Sequence, residues 1–173
     1  LFYERGIQTT GVEAIINAAG VAKATFYRHF PSKDDLVVAW LRDRPTRWFE
    51  RVEAAVEALD AEPAEKIPLF FDGVADWLET EGFRGCPYLN TGAEITEPTH
   101  PARLIAREAL KEVEDYLHDL VSAAGYREPR TLAAALQTLL AGSISLGVAR
   151  RSRASVKTAR DAAASLLSRA ERD

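Results

Sequence analysis

From Val12 to Ala19 the apolar residues Val12, Ile15, Ile16 and Ala19 recur at intervals of three and four, which predicts a short helix with one buried face. Thr10 ahead of it and Glu13 three residues on have the spacing of a capping box, so the helix is expected to be capped by Thr10. Gly20 interrupts the pattern. A second short helix follows, with Phe26 and Phe30 four apart and facing inward, while Lys23, Thr25, Tyr27, Arg28 and His29 stay on the other side; Ser32 restarts the chain in a third helix. Two short helices flanking a tight glycine turn make a helix-turn-helix.

Beyond Lys33 the positions Leu36, Val37, Trp40, Leu41, Trp48, Phe49, Val52, Val56 and Leu59 keep helical spacing to about Asp60. Pro45 interrupts them; it removes one amide donor and crowds the carbonyl of Leu41, which predicts a bend near Arg44. Further helices are expected over about 66–81, ended by the segment Gly82 to Gly85, from Pro87 onward, over about 102–124 with Gly125 as stop, over 129–149 and over 156–172. No strand-like alternation persists, so the fold class is all-α. The stretch 132–146 is apolar around its whole circumference and must be covered on more than one side. The last helix adds a face of small residues. Leu136, Leu140, Ile144, Ala159, Ala163 and Leu166 read as a dimer seam, the alternative being that both helices are internal core.

Composition narrows the picture without deciding it. The 173 residues are 47% hydrophobic, enough for a sizeable core, with no run of eighteen apolar residues, no signal peptide and a single cysteine. A soluble cytoplasmic protein with no membrane partner is the expectation. The net charge is -4, but residues 1–48 carry +2 and the remainder -6, so the basic end coincides with the helix-turn-helix. Local sign matters more than the total for a surface that neutralises phosphates.

Phosphates and base edges call for hydrogen-bond donors in the first turns of a recognition helix, and Lys23, Thr25, Tyr27, Arg28 and His29 supply them. Three histidines and one cysteine, without a nucleophile elbow, zincin signature or phosphate loop, give no support for an enzyme. Glu94, Glu97 and His100 lack metal-ligand spacing, and Cys86 beside Pro87 reads as a small semi-buried residue. No cofactor or metal is expected. Phe70, Phe71, Val74, Trp77, Tyr88 and Tyr116 are candidates to line an apolar cavity, with Asn90 and Glu94 as polar groups that orient a guest, although a stripe at helical spacing is more often core than pocket.

The first forty or so residues resemble the TetR-type bacterial transcriptional regulators. The resemblance is carried at fixed spacing by Leu1, Phe2, Gly6, Ile7, Thr10, Val12, Ile15, Ala19, Gly20, Val21, Tyr27, Phe30, Ser32, Lys33 and Leu36. Residues 83–90 and 100–103 are similar to a segment of some members. The chain departs from the pattern at Ala22, where serine is frequent, and at Ile16, where alanine is. The resemblance implies a three-helix DNA-binding head over 1–45, its first helix begun upstream of Leu1, and a helical ligand-binding and dimerisation domain over 46–173. It also implies DNA contacts from Thr10, Gly11, Lys23, Ala24, Thr25, Tyr27, Arg28, His29 and Lys33. The expected partners are double-stranded operator DNA, an unknown small-molecule effector and a second copy of the chain. The expected function is that of a transcriptional repressor released by its ligand; the alternative is a helical small-molecule-binding or scaffold protein without an operator.

Overall fold

The computed structural model describes residues 1–43 and 46–172, apart from the side chains of residues 46–48. The expected bend at Pro45 and Arg44 lies outside the described residues. These form helices α1 (Phe2–Arg5), α2 (Val12–Ala19), α3 (Lys23–His29), α4 (Lys33–Asp43), α5 (Thr46–Glu57), α6 (Pro63–Leu78), α7 (Pro87–Glu94), α8 (Pro101–Ala123), α9 (Pro129–Arg150) and α10 (Ala154–Arg169), with no strand among them. The all-helical fold class is as the periodicity predicts. Element ends shift: α6 starts at Pro63 rather than near Lys66, because the Glu62 amide donates to the Glu65 carboxylate and Pro63 suits a first turn.

Packing sorts the chain into two compact units. The first is Leu1–Thr46 together with Pro87–Ala109, and the second is Arg47–Cys86 together with Leu110–Asp173. The helix-turn-helix head therefore shares its unit with α7 and with residues 101–109 of α8. Its buried apolar side chains include Phe2, Ile7, Ile16, Phe26, Val37, Leu41, Tyr88 and Ile95, and Phe2 meets Trp40 edge-on at 5.6 Å. Each such aliphatic or aromatic side chain stabilises the fold by roughly 1.5–3 kcal/mol when buried.

In the second unit α6, α9 and α10 pack on one another. Leu136, Leu140, Ile144, Ala159 and Ala163 are buried inside this single chain, and Leu166 is half-buried. A side chain enclosed by its own helices has no surface to give a partner, so the seam expected through these residues is core in this packing. The opposite face of α9 is open: Ala134, Thr138, Gly142, Ser145 and Ala149 are exposed at intervals of three and four, and Leu146 is 46% exposed. On α10 Thr158, Ala162 and Ser165 form a similar exposed row. By length and composition α9 is apolar enough to cross a membrane, a test that a helix packed in a protein core passes as well.

Candidate nucleic-acid interface

The turn between α2 and α3 is closed by Gly20 in the left-handed region, at φ 66° and ψ 27°. Its amide donates to the Asn17 carbonyl (3.3 Å), and the Val21 amide to the Ile16 carbonyl (3.4 Å), the paired bonds of a Schellman motif. A Cβ is costly in that conformation, which explains glycine here. α3 then starts at Lys23. Phe26 is 5% exposed and its ring lies 6.0 Å from that of Phe30, so this side of α3 anchors the helix. On the other side Lys23, Ala24, Arg28 and His29 are exposed, Tyr27 is 42% exposed, and Thr25 is half-buried. The donors expected from the sequence thus share one solvent-facing surface on a helix held by an aromatic wedge.

Two caps differ from the sequence expectation. Thr10 is 2% exposed and its hydroxyl donates backward to the Gly6 carbonyl at 2.6 Å. Gly11, not Thr10, caps α2, and there is no side-chain cap hydrogen bond among the described residues. The Thr10 side chain is therefore withdrawn from a DNA surface; what this end of α2 offers a phosphate is exposed Gly11 and its neighbouring amides. Glu13 does not complete a capping box either, since its carboxylate lies 2.6 Å from the Lys23 ammonium, whose pKa is raised chiefly by that hydrogen bond. The box forms instead at α4. The Asp35 amide donates to Ser32 Oγ (3.1 Å) and the Ser32 amide to the Asp35 carboxylate (3.0 Å), leaving half-buried Lys33 at the first position of the helix.

The same unit holds a set of long-range polar ties. The Gln8 amide donates to Glu94 Oε2 at 2.9 Å, bringing the end of α7 to the loop before α2. His100 accepts the Ala102 amide on Nδ1 (3.1 Å), which places its proton on Nε2, 3.3 Å from Asp34 of α4. Arg103 donates to the Ile95 carbonyl at 2.7 Å, just past the C-terminal end of α7.

The expected ligand-lining residues are divided between the two units. Tyr88, Asn90 and Glu94 belong to the first unit, and Phe70, Phe71, Val74, Trp77 and Tyr116 to the second. Phe70, Phe71 and Val74 are fully buried core. The Tyr116 ring packs 5.3 Å from Phe70 and 5.7 Å from Phe49, and its hydroxyl donates to Glu57 at 3.0 Å. Burial, and then Glu57, push the Tyr116 hydroxyl well above the usual tyrosine range, so it stays a neutral donor. Glu57 is held below the usual carboxylate range, mainly by the hydrogen bond from Lys66 at 2.6 Å. A cavity of about 860 Å³ opens elsewhere in this unit, lined by Leu78, Phe83, Gly147, Val148, Arg151 and Arg153 among others. Trp77 stands behind it, its ring edge-on to Phe83 at 4.7 Å.

Residues 1–40 match the family profile described as bacterial regulatory proteins of the tetR family, and residues 63–162, more than half of the chain, match the LmrA/YxaF-like C-terminal domain of transcriptional regulators. The chain belongs to the TetR family. It is 27% identical over 152 residues to the HTH-type transcriptional regulator LmrA of Bacillus subtilis, covering 86% of this chain and 80% of that protein. A TetR-family regulator of Streptomyces coelicolor superposes with a TM-score of 0.87 at 28% identity, over 96% of this chain and 87% of the other. One from Streptomyces avermitilis gives 0.77 at 29%, over 94% and 91%. This TetR-family protein is accordingly a DNA-binding transcriptional regulator and not an enzyme, with the α2–α3 pair as its helix-turn-helix. Sequence reasoning missed Glu13 as the partner of Lys23, and the ties from Gln8 to Glu94 and from Asp34 to His100. Only the similarity noted for residues 100–103 pointed toward any of them.

Proposed function

We propose that this TetR-family regulator is a homodimeric repressor, released from its operator in the cytoplasm by a small molecule. The observation that carries the reading is the membership of α7 and the start of α8 in the same compact unit as the head, tied by Gln8 to Glu94 and by Asp34 to His100. α8 continues into the second unit, so an effector that displaces this helix also shifts the element to which the head is fastened. A ligand acts this way only if it binds the DNA-incompetent arrangement more tightly, and coupling of about 1–3 kcal/mol is typical.

The effector is assigned to the cavity beside Phe83 and Arg151, with Trp77 supporting its wall. The dimer is assigned to the open faces of α9 and α10, where Gly142, Ser145, Ala162 and Ser165 permit close helix approach. Two heads then engage half-sites roughly 34–36 Å apart. The test is a reporter carrying a genomic fragment selected by the protein. Expression falls when the regulator is present and returns on adding an effector found by screening; raised expression on binding would make it an activator. In the same system Trp77→Ala blunts the response to effector while leaving effector-free DNA affinity nearly intact, and operator DNA weakens effector binding by the factor that effector weakens operator binding.

A further inference from the structure

Lys23 opens α3 and Glu13 lies in the first turn of α2, and the turn at Gly20 sets their charged ends 2.6 Å apart with both side chains about two-thirds exposed. Arg28, His29 and Lys33 have no carboxylate partner among the described residues. One cation of the DNA surface is thus singled out by an acidic neighbour. An exposed pair of this kind adds little to stability, so its consequence falls on what approaches the surface.

We propose that Glu13 is a specificity-determining residue, which keeps Lys23 from serving as a general phosphate contact and reserves it for base edges. An ammonium has three donors, and the bond to Glu13 leaves two. On arbitrary duplex the gain open to a lysine is a phosphate contact, which is independent of sequence. Taking it here means abandoning Glu13 and leaving a bare carboxylate at the start of α2 among phosphates, a like-charge arrangement. A guanine edge presents the paired acceptors O6 and N7 in the major groove, which take the two remaining donors without breaking the pair. Ala24 and half-buried Thr25 add little bulk beside Lys23 and leave this turn of α3 free to approach the bases closely.

The experiment compares wild type, Glu13→Gln, Lys23→Ala and the double variant. Two probes are used, poly(dA-dT), which has no guanine edge, and a duplex enriched by the wild-type protein from a random-sequence pool, each over a salt series. Glu13→Gln is expected to raise affinity for poly(dA-dT) by roughly 3- to 10-fold at low salt and to steepen the log–log salt slope by about one unit, as Lys23 joins the phosphate contacts. Affinity for the enriched duplex changes less, so the specificity ratio falls. Lys23→Ala weakens the enriched duplex with little change of slope, and the double variant loses the gain on poly(dA-dT). Unchanged non-specific binding in Glu13→Gln overturns the proposal, and so does a gain that persists without Lys23, which would make Glu13 a simple repulsive charge. Thermal melting of each variant is expected to match wild type closely, which keeps these outcomes free of folding effects.

Discussion

Replacing Gly6 by alanine tests the tie between α7 and the loop that leads into α2. Gly6 sits at φ 93° and ψ 157°, a region open to glycine and strained for other residues. An ideal Cβ there lies 3.0 Å and 3.3 Å from the two carboxylate oxygens of Glu94 and 3.3 Å from Oγ1 of Thr9. Two costs follow. The backbone strain is about 1–3 kcal/mol. The carboxylate must also retreat from the Gln8 amide, now 2.9 Å away, and a bond to a charged acceptor contributes about 1.5–3 kcal/mol, toward the low end for a half-buried group. The two share one small loop and do not add fully, which gives roughly 2–4 kcal/mol, or a fall in Tm of roughly 5–15 °C for a domain of this size. Calorimetry of Gly6→Ala, Glu94→Ala and the double variant is the assay. In the Glu94→Ala background the cost of Gly6→Ala shrinks by about 1 kcal/mol, because the Cβ no longer meets a carboxylate. Full additivity would refute the geometry, as would a Gly6→Ala protein that melts with wild type. Operator binding is expected to weaken alongside stability, since the Gly6 carbonyl also receives the Thr10 hydroxyl at the start of α2.

Three further outcomes are expected. Lys33→Ala lowers affinity for all duplexes and flattens the salt slope by about one unit in gel shifts, as for one lost phosphate contact. Gly142→Glu leaves the monomer folded, since a Cβ there meets nothing within 4 Å, but places a charge in the proposed seam; sedimentation shows a monomer and operator binding is lost, whereas Leu140→Asp unfolds the chain instead. Glu53 is raised above the usual carboxylate range by burial first and then by Glu57, Glu50 and Glu112, so the folded state disfavours its charged form. Glu53→Gln therefore raises Tm at neutral pH, and the advantage is lost as pH falls through the raised pKa of the wild-type carboxyl toward the ordinary carboxylate range; an equal gain at neutral and at acidic pH would exclude this cause.

The helix-turn-helix was legible because its determinants are local. Gly20 is required by one left-handed turn, and Phe26 and Phe30 fall four apart on the buried side, so spacing alone separates anchor from contact surface. The Thr10 cap was misread because Thr-x-x-Glu has the right spacing for a box, yet the threonine hydroxyl has a nearer acceptor four residues back and Glu13 a cation ten residues on. Periodicity cannot rank such competing partners. The burial of the residues expected at the dimer seam has a related cause. An apolar helix needs cover all round, but the pattern does not say which covering is supplied by α6 and α10 and which is left open. Large residues such as Leu136 and Ile144 lie on the enclosed side, and the open row is made of alanine, glycine, serine and threonine, which carry little hydrophobic signal.

Glu94 shows where a reading by residue type runs out. A half-buried carboxylate near aromatic neighbours has the same sequence signature whether it orients a guest or accepts a backbone amide, and only the fold decides, by placing Gln8 at 2.9 Å. That placement makes Glu94 a tie between the end of α7 and the loop before α2, and His100 with Asp34 supplies a second point. Two separated attachments resist rotation, which one alone would permit. A head held at two points follows α7 and α8 rather than pivoting on the chain after Lys33, so loss of either tie is expected to weaken the transmission of a displacement before it weakens the DNA surface itself.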